Sequence, residues 1–215
     1  MFSKATIYLG EDLAVNDKTD RRILRTRTLL RKVMLDLASE KPLEAITVKE
    51  LTETAGLNRG TFYLHYQDIH DFYEQYKNEV LEQYESIIKK LGGTRETREP
   101  FIDPPLGYVR PFEYVLEHKH FFKIFLGFGG DTNLSLQMTE LINQQFINAY
   151  RVNHQQIKPA DIPVKQQYLF AYLASAYVGT MQFWIQRNFD LSPAEMAILF
   201  SQISRLGSAH VTFPV

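Results

Sequence analysis

The stretch Ile46–Phe72, ITVKELTETAGLNRGTFYLHYQDIHDF, constrains this chain more than any other. Thr47 is a helix N-cap, and Glu50 three residues on completes a capping box, so a helix is expected to start there. Val48, Leu51 and Thr52 lie three and four apart and share one face of it. Gly56 reaches the left-handed conformation that ends a helix cheaply, with Leu57 expected behind it as the buried plug of the turn. Asn58 is a second N-cap, opening a helix of barely two turns over Arg59–Tyr66. Phe62 and Tyr66, four apart, are expected to face inward. Arg59, Gly60, Thr61, Tyr63 and His65 are left at the surface or its margin. Two short helices joined by a tight glycine turn, the second polar and aromatic, form the helix-turn-helix pattern. Capping boxes with glycine turns also occur in helical proteins that never meet nucleic acid, so spacing alone leaves both readings open.

The rest of the chain reads as helices too. From Asp20 to Ser39 the apolar residues Ile23, Leu30, Val33, Met34 and Leu37 recur at helical spacing, and Pro42 ends that segment. Residues 1–17 show no clear period and read as an extension. Asp68 caps a helix that runs to Leu91, about 36 Å at ~1.5 Å per residue, long enough to join the first domain to whatever follows. Gly92-Gly93 stops it, and residues 94–107, with Pro100, Pro104, Pro105 and Gly107, read as a loop. Further helices are expected at Tyr108–Glu117, His118–Leu126, Asn133–Asn153, Pro163–Asn188 and Ser192–Leu206. The last begins with a capping box and Pro193 at its first position. No long alternating stretch interrupts them. The fold class is all-α, divided into an extension (1–19), a helix-turn-helix domain (20–67) and a helical C-terminal domain (68–215).

Composition narrows the function. With 215 residues, 45% hydrophobic and 23% charged, the chain is ordinary for a globular protein, and it has no cysteine, which excludes disulfides and thiolate chemistry. The N-terminus lacks the basic start and apolar core of a signal peptide, so a cytoplasmic location is expected. The net charge of −1 hides an asymmetry: Lys18 to Tyr66 holds ten basic and six acidic residues, or +4, leaving −5 for the remainder. Five of the cations are arginines between Arg21 and Arg31, beside the helix-turn-helix, where they could meet phosphates.

Other candidate chemistry is weaker. Gly127-Phe128-Gly129-Gly130 follows a helix and lacks the lysine of a phosphate loop, so it reads as a turn. His118 and His120 point to different sides of a helix, and no metal site is expected. No catalytic constellation, and no cofactor motif, stands out. Leu169–Ile185 runs without a charge and approaches the ~18 residues of a membrane span. Ser175, Gly179, Thr180 and Gln182 weaken that reading. A helix apolar all round is otherwise buried on every side, and its small residues suit a helix shared between core and subunit interface. Phe122, Phe125, Tyr168, Tyr172 and Trp184, core aromatics by default, are also candidates for lining a small-molecule cavity.

The run Thr47-Val48 through Ala55-Gly56-Leu57-Asn58-Arg59-Gly60-Thr61-Phe62-Tyr63-Leu64-His65-Tyr66 resembles, in register, the DNA-binding domain of the TetR-type bacterial regulators. The resemblance is close over Arg21–Phe72. The C-terminal half is similar to the branch that includes dihydroxyacetone-kinase regulators, chiefly through EHKHFFKIFLG (Glu117–Gly127) and the Tyr168–Phe189 helix. The resemblance implies a transcriptional regulator, by preference a repressor, that binds a palindromic operator in double-stranded DNA. It implies contacts from Arg59, Gly60, Thr61, Tyr63, Leu64 and His65, with Thr47 and Asn58 holding phosphates. It further implies a homodimer built on the last two helices, no membrane association, and a small-molecule effector or protein partner at the C-terminal domain. One departure is Ile69, where the family pattern has a lysine that holds a phosphate. The helix N-terminus, Tyr66 or the Arg21–Arg31 run are the substitutes available. The alternative is a helix-turn-helix interaction protein that works through a protein partner, with weak or no DNA binding of its own.

Overall fold

The computed structural model describes residues 8–90, 106–127, 130–154 and 156–206. Among them are nine α-helices: α1 (Tyr8–Ala38), α2 (Val48–Thr54), α3 (Arg59–Tyr63), α4 (Ile69–Lys89), α5 (Leu106–Glu117), α6 (Lys119–Phe125), α7 (Thr132–Asn153), α8 (Val164–Gln186) and α9 (Pro193–Leu206). No strand occurs among the described residues. The chain divides into two compact units, Met1–Tyr76 and Lys77–Val215, with the division inside α4.

In the first unit α1 begins at Tyr8, not near Asp20. The amphipathic period marks the face of a helix that packs; it does not mark where helical backbone begins. Between Tyr8 and Thr19 there is no proline, and Leu, Glu, Ala and Lys are good helix formers. The first seven residues of the expected extension lie outside the described residues. Leu30, Val33 and Met34 bury against the helix-turn-helix, while Ile23 remains 36% exposed. A 3₁₀ turn, Leu43–Ala45, follows Pro42 and was not legible in the sequence.

The turn between α2 and α3 is fixed by backbone bonds. Gly56 has φ +65°. Its N–H donates to the Glu53 carbonyl at 3.1 Å, and Leu57 N–H donates to the Thr52 carbonyl at 2.9 Å. That pair of bonds closes the last turn of α2 and needs a left-handed residue between them, which explains the glycine. Leu57 is only half-buried, so the expected plug is partial. The core beneath is instead supplied by Ile46, Leu51, Phe62, Tyr66 and Phe72.

The second unit holds the remainder of α4 and α5–α9. Its most extensive packing joins α7 to α8, with α5 against α9 and α6 against α8. Phe112, Tyr114, Phe121, Phe122, Phe125, Met138 and Trp184 fill the interior. Ser192 N–H donates to Glu195 Oε2 at 2.7 Å and Glu195 N–H donates back to Ser192 Oγ at 3.3 Å, the reciprocal box expected before α9. At the turn after α6, a side chain on Gly127 would lie 2.3 Å from the Lys123 carbonyl, which accounts for that glycine by close approach. Of the expected loop 94–107, residues 94–105 lie outside the described residues and Leu106 and Gly107 belong to α5.

Within the chain α8 is buried on a single side, through Phe170, Ala174, Tyr177, Val178, Met181, Trp184 and Ile185. Its other side exposes Tyr168, Leu169, Tyr172 and Phe183. Mean apolarity does not say which faces find a neighbour, and one chain supplies neighbours for only half of this helix. No described helix is long and apolar enough to cross a membrane.

Candidate nucleic-acid interface

Two caps set the position of the reading helix. Thr47, in extended backbone, accepts from Glu50 N–H at 3.2 Å and starts α2. Glu50 does not close the box; its carboxylate pairs with Lys41. Asn58 Oδ1 accepts from Gly60 N–H at 2.8 Å and starts α3. The α-helix ends at Tyr63, short of the expected Tyr66. The chain nonetheless keeps turning, since Tyr66 N–H donates to the Phe62 carbonyl at 3.0 Å.

Three buried rings clamp α3 from below. Phe62 and Tyr66 lie 5.3 Å apart, Tyr66 and Phe72 4.8 Å, and Phe62 and Phe72 6.0 Å. With Phe62 and Tyr66 pinned inward, the helical rotation turns the intervening residues outward. Arg59 and Gly60 are exposed, and Thr61 and His65 are half-buried at the margins. Tyr63 is 57% exposed and Leu64 80%, both large apolar groups left in solvent. Thr47 and Asn58 are exposed as well. The structure therefore gathers Asn58, Arg59, Gly60, Tyr63 and Leu64 on the solvent side of one rigid turn. Such a surface offers a guanidinium for base edges, a phenol, and an apolar tip for a thymine methyl.

The five aromatic residues expected around a cavity are not brought together. Phe122, Phe125 and Trp184 are buried. The Trp184 indole donates to the Leu191 carbonyl at 2.9 Å, which satisfies its polar edge inside the core. Tyr168 and Tyr172 stand on the exposed side of α8, four apart, on the side opposite Ala174 and Tyr177. The correction has a simple cause: the 3.6-residue period divides α8 into two faces, and apolar character alone cannot assign a residue to either. His118 Nδ1 lies 2.9 Å from the Tyr114 carbonyl, whereas His120 is exposed, so the two do not share a site.

A cleft of about 450 Å³ in the second unit was not legible in the sequence. Asp131, Ser135, Gly179, Gln182, Phe183 and Gln186 are among its lining residues. Gln182 Nε2 donates to Ser135 Oγ at 3.4 Å across its floor. Asp131 caps α7, accepting from Asn133 and Leu134 N–H at 2.8 and 3.3 Å, and also pairs with Lys77. Burial pushes the Asp131 carboxyl up, but the Lys77 ammonium and the two N–H bonds outweigh it and hold it below its ordinary value. The cleft thus offers hydroxyls, amides and one aromatic ring around a carboxylate already neutralised by Lys77.

Comparison with known proteins bears on both units. Residues 32–76 match the family model described as bacterial regulatory proteins, tetR family. Residues 103–206 match a model described as a transcriptional regulator C-terminal region, a description that names no branch. A 48-residue stretch is 46% identical to an uncharacterized HTH-type transcriptional regulator, YxbF, of Bacillus subtilis; it covers 22% of this chain and only 13% of that protein. Among solved structures, a candidate fatty acid metabolism regulator of Clostridium perfringens aligns with TM-score 0.58 at 13% identity, over 86% of this chain and 100% of that one. The fatty acid degradation regulator FadR of Bacillus halodurans aligns with TM-score 0.52 at 12% identity, over 86% and 97%. At such identities these two likenesses speak to the fold.

Proposed function

Because this chain belongs to the TetR family of bacterial regulatory proteins and is a DNA-binding transcriptional regulator, we propose that it works as a homodimeric repressor on a palindromic operator. A ligand or partner at the second unit then sets its operator affinity. The observation that carries this reading is the α3 surface: Arg59, Tyr63 and Leu64 held in solvent by the buried Phe62, Tyr66 and Phe72.

In this reading Thr47 and Asn58 sit at helix starts against phosphates, and Arg59, Gly60, Thr61, Tyr63, Leu64 and His65 face the groove. The exposed side of α8, with Tyr168, Tyr172 and Phe183, pairs with its copy together with α9. A two-fold protein of this kind reads half-sites about 34–36 Å apart, or a multiple of that. The effector occupies the second unit, where the cleft at Asp131, Ser135 and Gln182 supplies polar groups. It acts by population shift, favouring one spacing of the two reading heads over another. The work is done on chromosomal DNA, in the bacterial cytoplasm.

The test is selection of genomic duplexes by the purified full-length chain, followed by footprinting and sedimentation. A two-fold footprint bound by a dimer is the expected result. A protein that remains monomeric at micromolar concentration, or that shows no sequence preference at any salt, refutes the reading.

A further inference from the structure

The cleft and the outward side of α8 belong to one surface. Tyr168, Tyr172, Ser175, Gly179, Phe183 and Gln186 are all exposed in the single chain. They recur at spacings of four, three, four, four and three, which at ~3.6 residues per turn keeps them on a single stripe of the helix. Tyr168 and Tyr172, at one end of that stripe, stand outside the cleft. Gly179, Phe183 and Gln186, at the other end, form its α8 wall together with Gln182.

The stripe has the chemistry of a surface that is covered. From Gln166 to Gln186 the helix carries no charged residue, and loss of charge with a gain of tyrosine and phenylalanine marks the centre of protein interfaces. Gly179 lies in the helix interior, where glycine weakens helical backbone. A Cβ there would meet nothing within 4 Å. Nothing among the described residues needs this glycine, whereas a helix of a second copy approaching along Ser175 and Gly179 does. On the α7 side Leu136, one turn on from the cleft residue Thr132, is 65% exposed. The polar floor, where Gln182 Nε2 donates to Ser135 Oγ, therefore lies open beside two exposed apolar side chains, Leu136 and Phe183.

We infer that the cleft is a binding site shared by two subunits: a copy packed along the α8 stripe closes its open side, so that a molecule held on Ser135 and Gln182 lies between the subunits. This rests on the pairing of α8 with its copy. Such a molecule binds the dimer and not the separate chains, so occupancy and pairing reinforce each other by linkage. A ligand placed there acts on the packing between subunits directly, with no need to deform the core of either.

The chain contains no cysteine, so a single introduced thiol reports on its own site. Ser135→Cys places one on the cleft floor, and Gln137→Cys places one on the exposed part of α7 outside the cleft. Alkylation by iodoacetamide is followed for each in the full chain, with and without the pair Tyr168→Glu and Tyr172→Glu, which charges the stripe away from the cleft. Sedimentation should show the doubly charged chain as a monomer of unchanged helicity. The thiol of Ser135→Cys should react several-fold more slowly in the dimer than in that monomer, and the thiol of Gln137→Cys should react alike in both. Dilution of the Ser135→Cys dimer should raise its rate as the subunits part, which tests the same point without charging the stripe. Equal Ser135→Cys rates in dimer and monomer, or a dimer that survives Tyr168→Glu with Tyr172→Glu, overturn the shared site. A parent chain that sediments as a monomer instead sinks the pairing on which the inference rests.

Discussion

The hydroxyls of Tyr84 on α4 and Tyr177 on α8 meet at 2.9 Å in the interior of the second unit, each ring largely removed from water. Each hydroxyl is the other's hydrogen-bond partner. Tyr177→Phe strands the Tyr84 hydroxyl and should cost about 1–2 kcal/mol in chemical denaturation. Replacing both by Phe should cost clearly less than the two single changes summed, and strict additivity would refute the coupling. Burial pushes both phenols up from their ordinary range. A group whose native pKa lies above its unfolded value stabilises the fold below the unfolded pKa. Stability should therefore fall as pH rises past about 10, and less steeply in the double Phe variant.

Lys77 and Asp131 set a second dependence, at the acid end. The pair joins α4 to the cap of α7, with the Lys77 side chain 7% exposed. Asp131→Asn keeps a competent cap but withdraws the carboxylate from a buried ammonium, a change worth roughly 3 kcal/mol. The Asp131 carboxyl is held low in the fold, so its contribution is complete above the ordinary carboxylate pKa and is lost as pH falls through the lowered one. Acid titration of stability should flatten in the Asn variant. Equal acid sensitivity in the two proteins would remove Asp131 from the account.

On DNA, Arg59→Ala should cost on the order of 1–3 kcal/mol at the operator and relax preference at one base position of each half-site. Tyr63→Ala should lose affinity without disturbing the fold, since its ring is mostly in solvent. Fluorescence anisotropy on operator and single-base variants measures both. Unchanged affinity in both substitutions would mean that another surface reads the bases.

Gly179 reports on association. A Cβ added there meets nothing within 4 Å in the single chain, and the residue is exposed. Gly179→Glu therefore leaves the subunit fold intact while placing a charge on the outward side of α8, where a closely packed copy would have to desolvate it. Sedimentation should show monomer, with operator binding weakened through the loss of paired heads. A variant that sediments as the parent does would move the interface elsewhere.

What was legible in the sequence was local. Thr47, Asn58 and Ser192 act on amides two or three residues away, so their caps follow from spacing alone, as does the inward pairing of Phe62 with Tyr66. What was not legible depends on partners far along the chain. Lys77 and Asp131 are 54 positions apart, and nothing near either announces the other. The cleft draws Asp131 and Ser135 from the cap and first turn of α7 and Gln182 and Gln186 from α8. Tyr168 and Tyr172 looked like cavity aromatics because apolar character does not reveal which face a helix turns inward. The start of α1 was misplaced for the complementary reason: its first turns are helical without showing a packing period.

The one-sided burial of α8 has a genetic consequence. If subunits meet through that outward side, pairing is indifferent to what has happened at α3. A gene copy encoding a chain damaged only at Arg59 or Tyr63 would still enter dimers with intact chains and leave each with a single working head. Such an allele should behave as dominant in a cell carrying both copies, whereas Gly179→Glu, unable to pair, should be recessive.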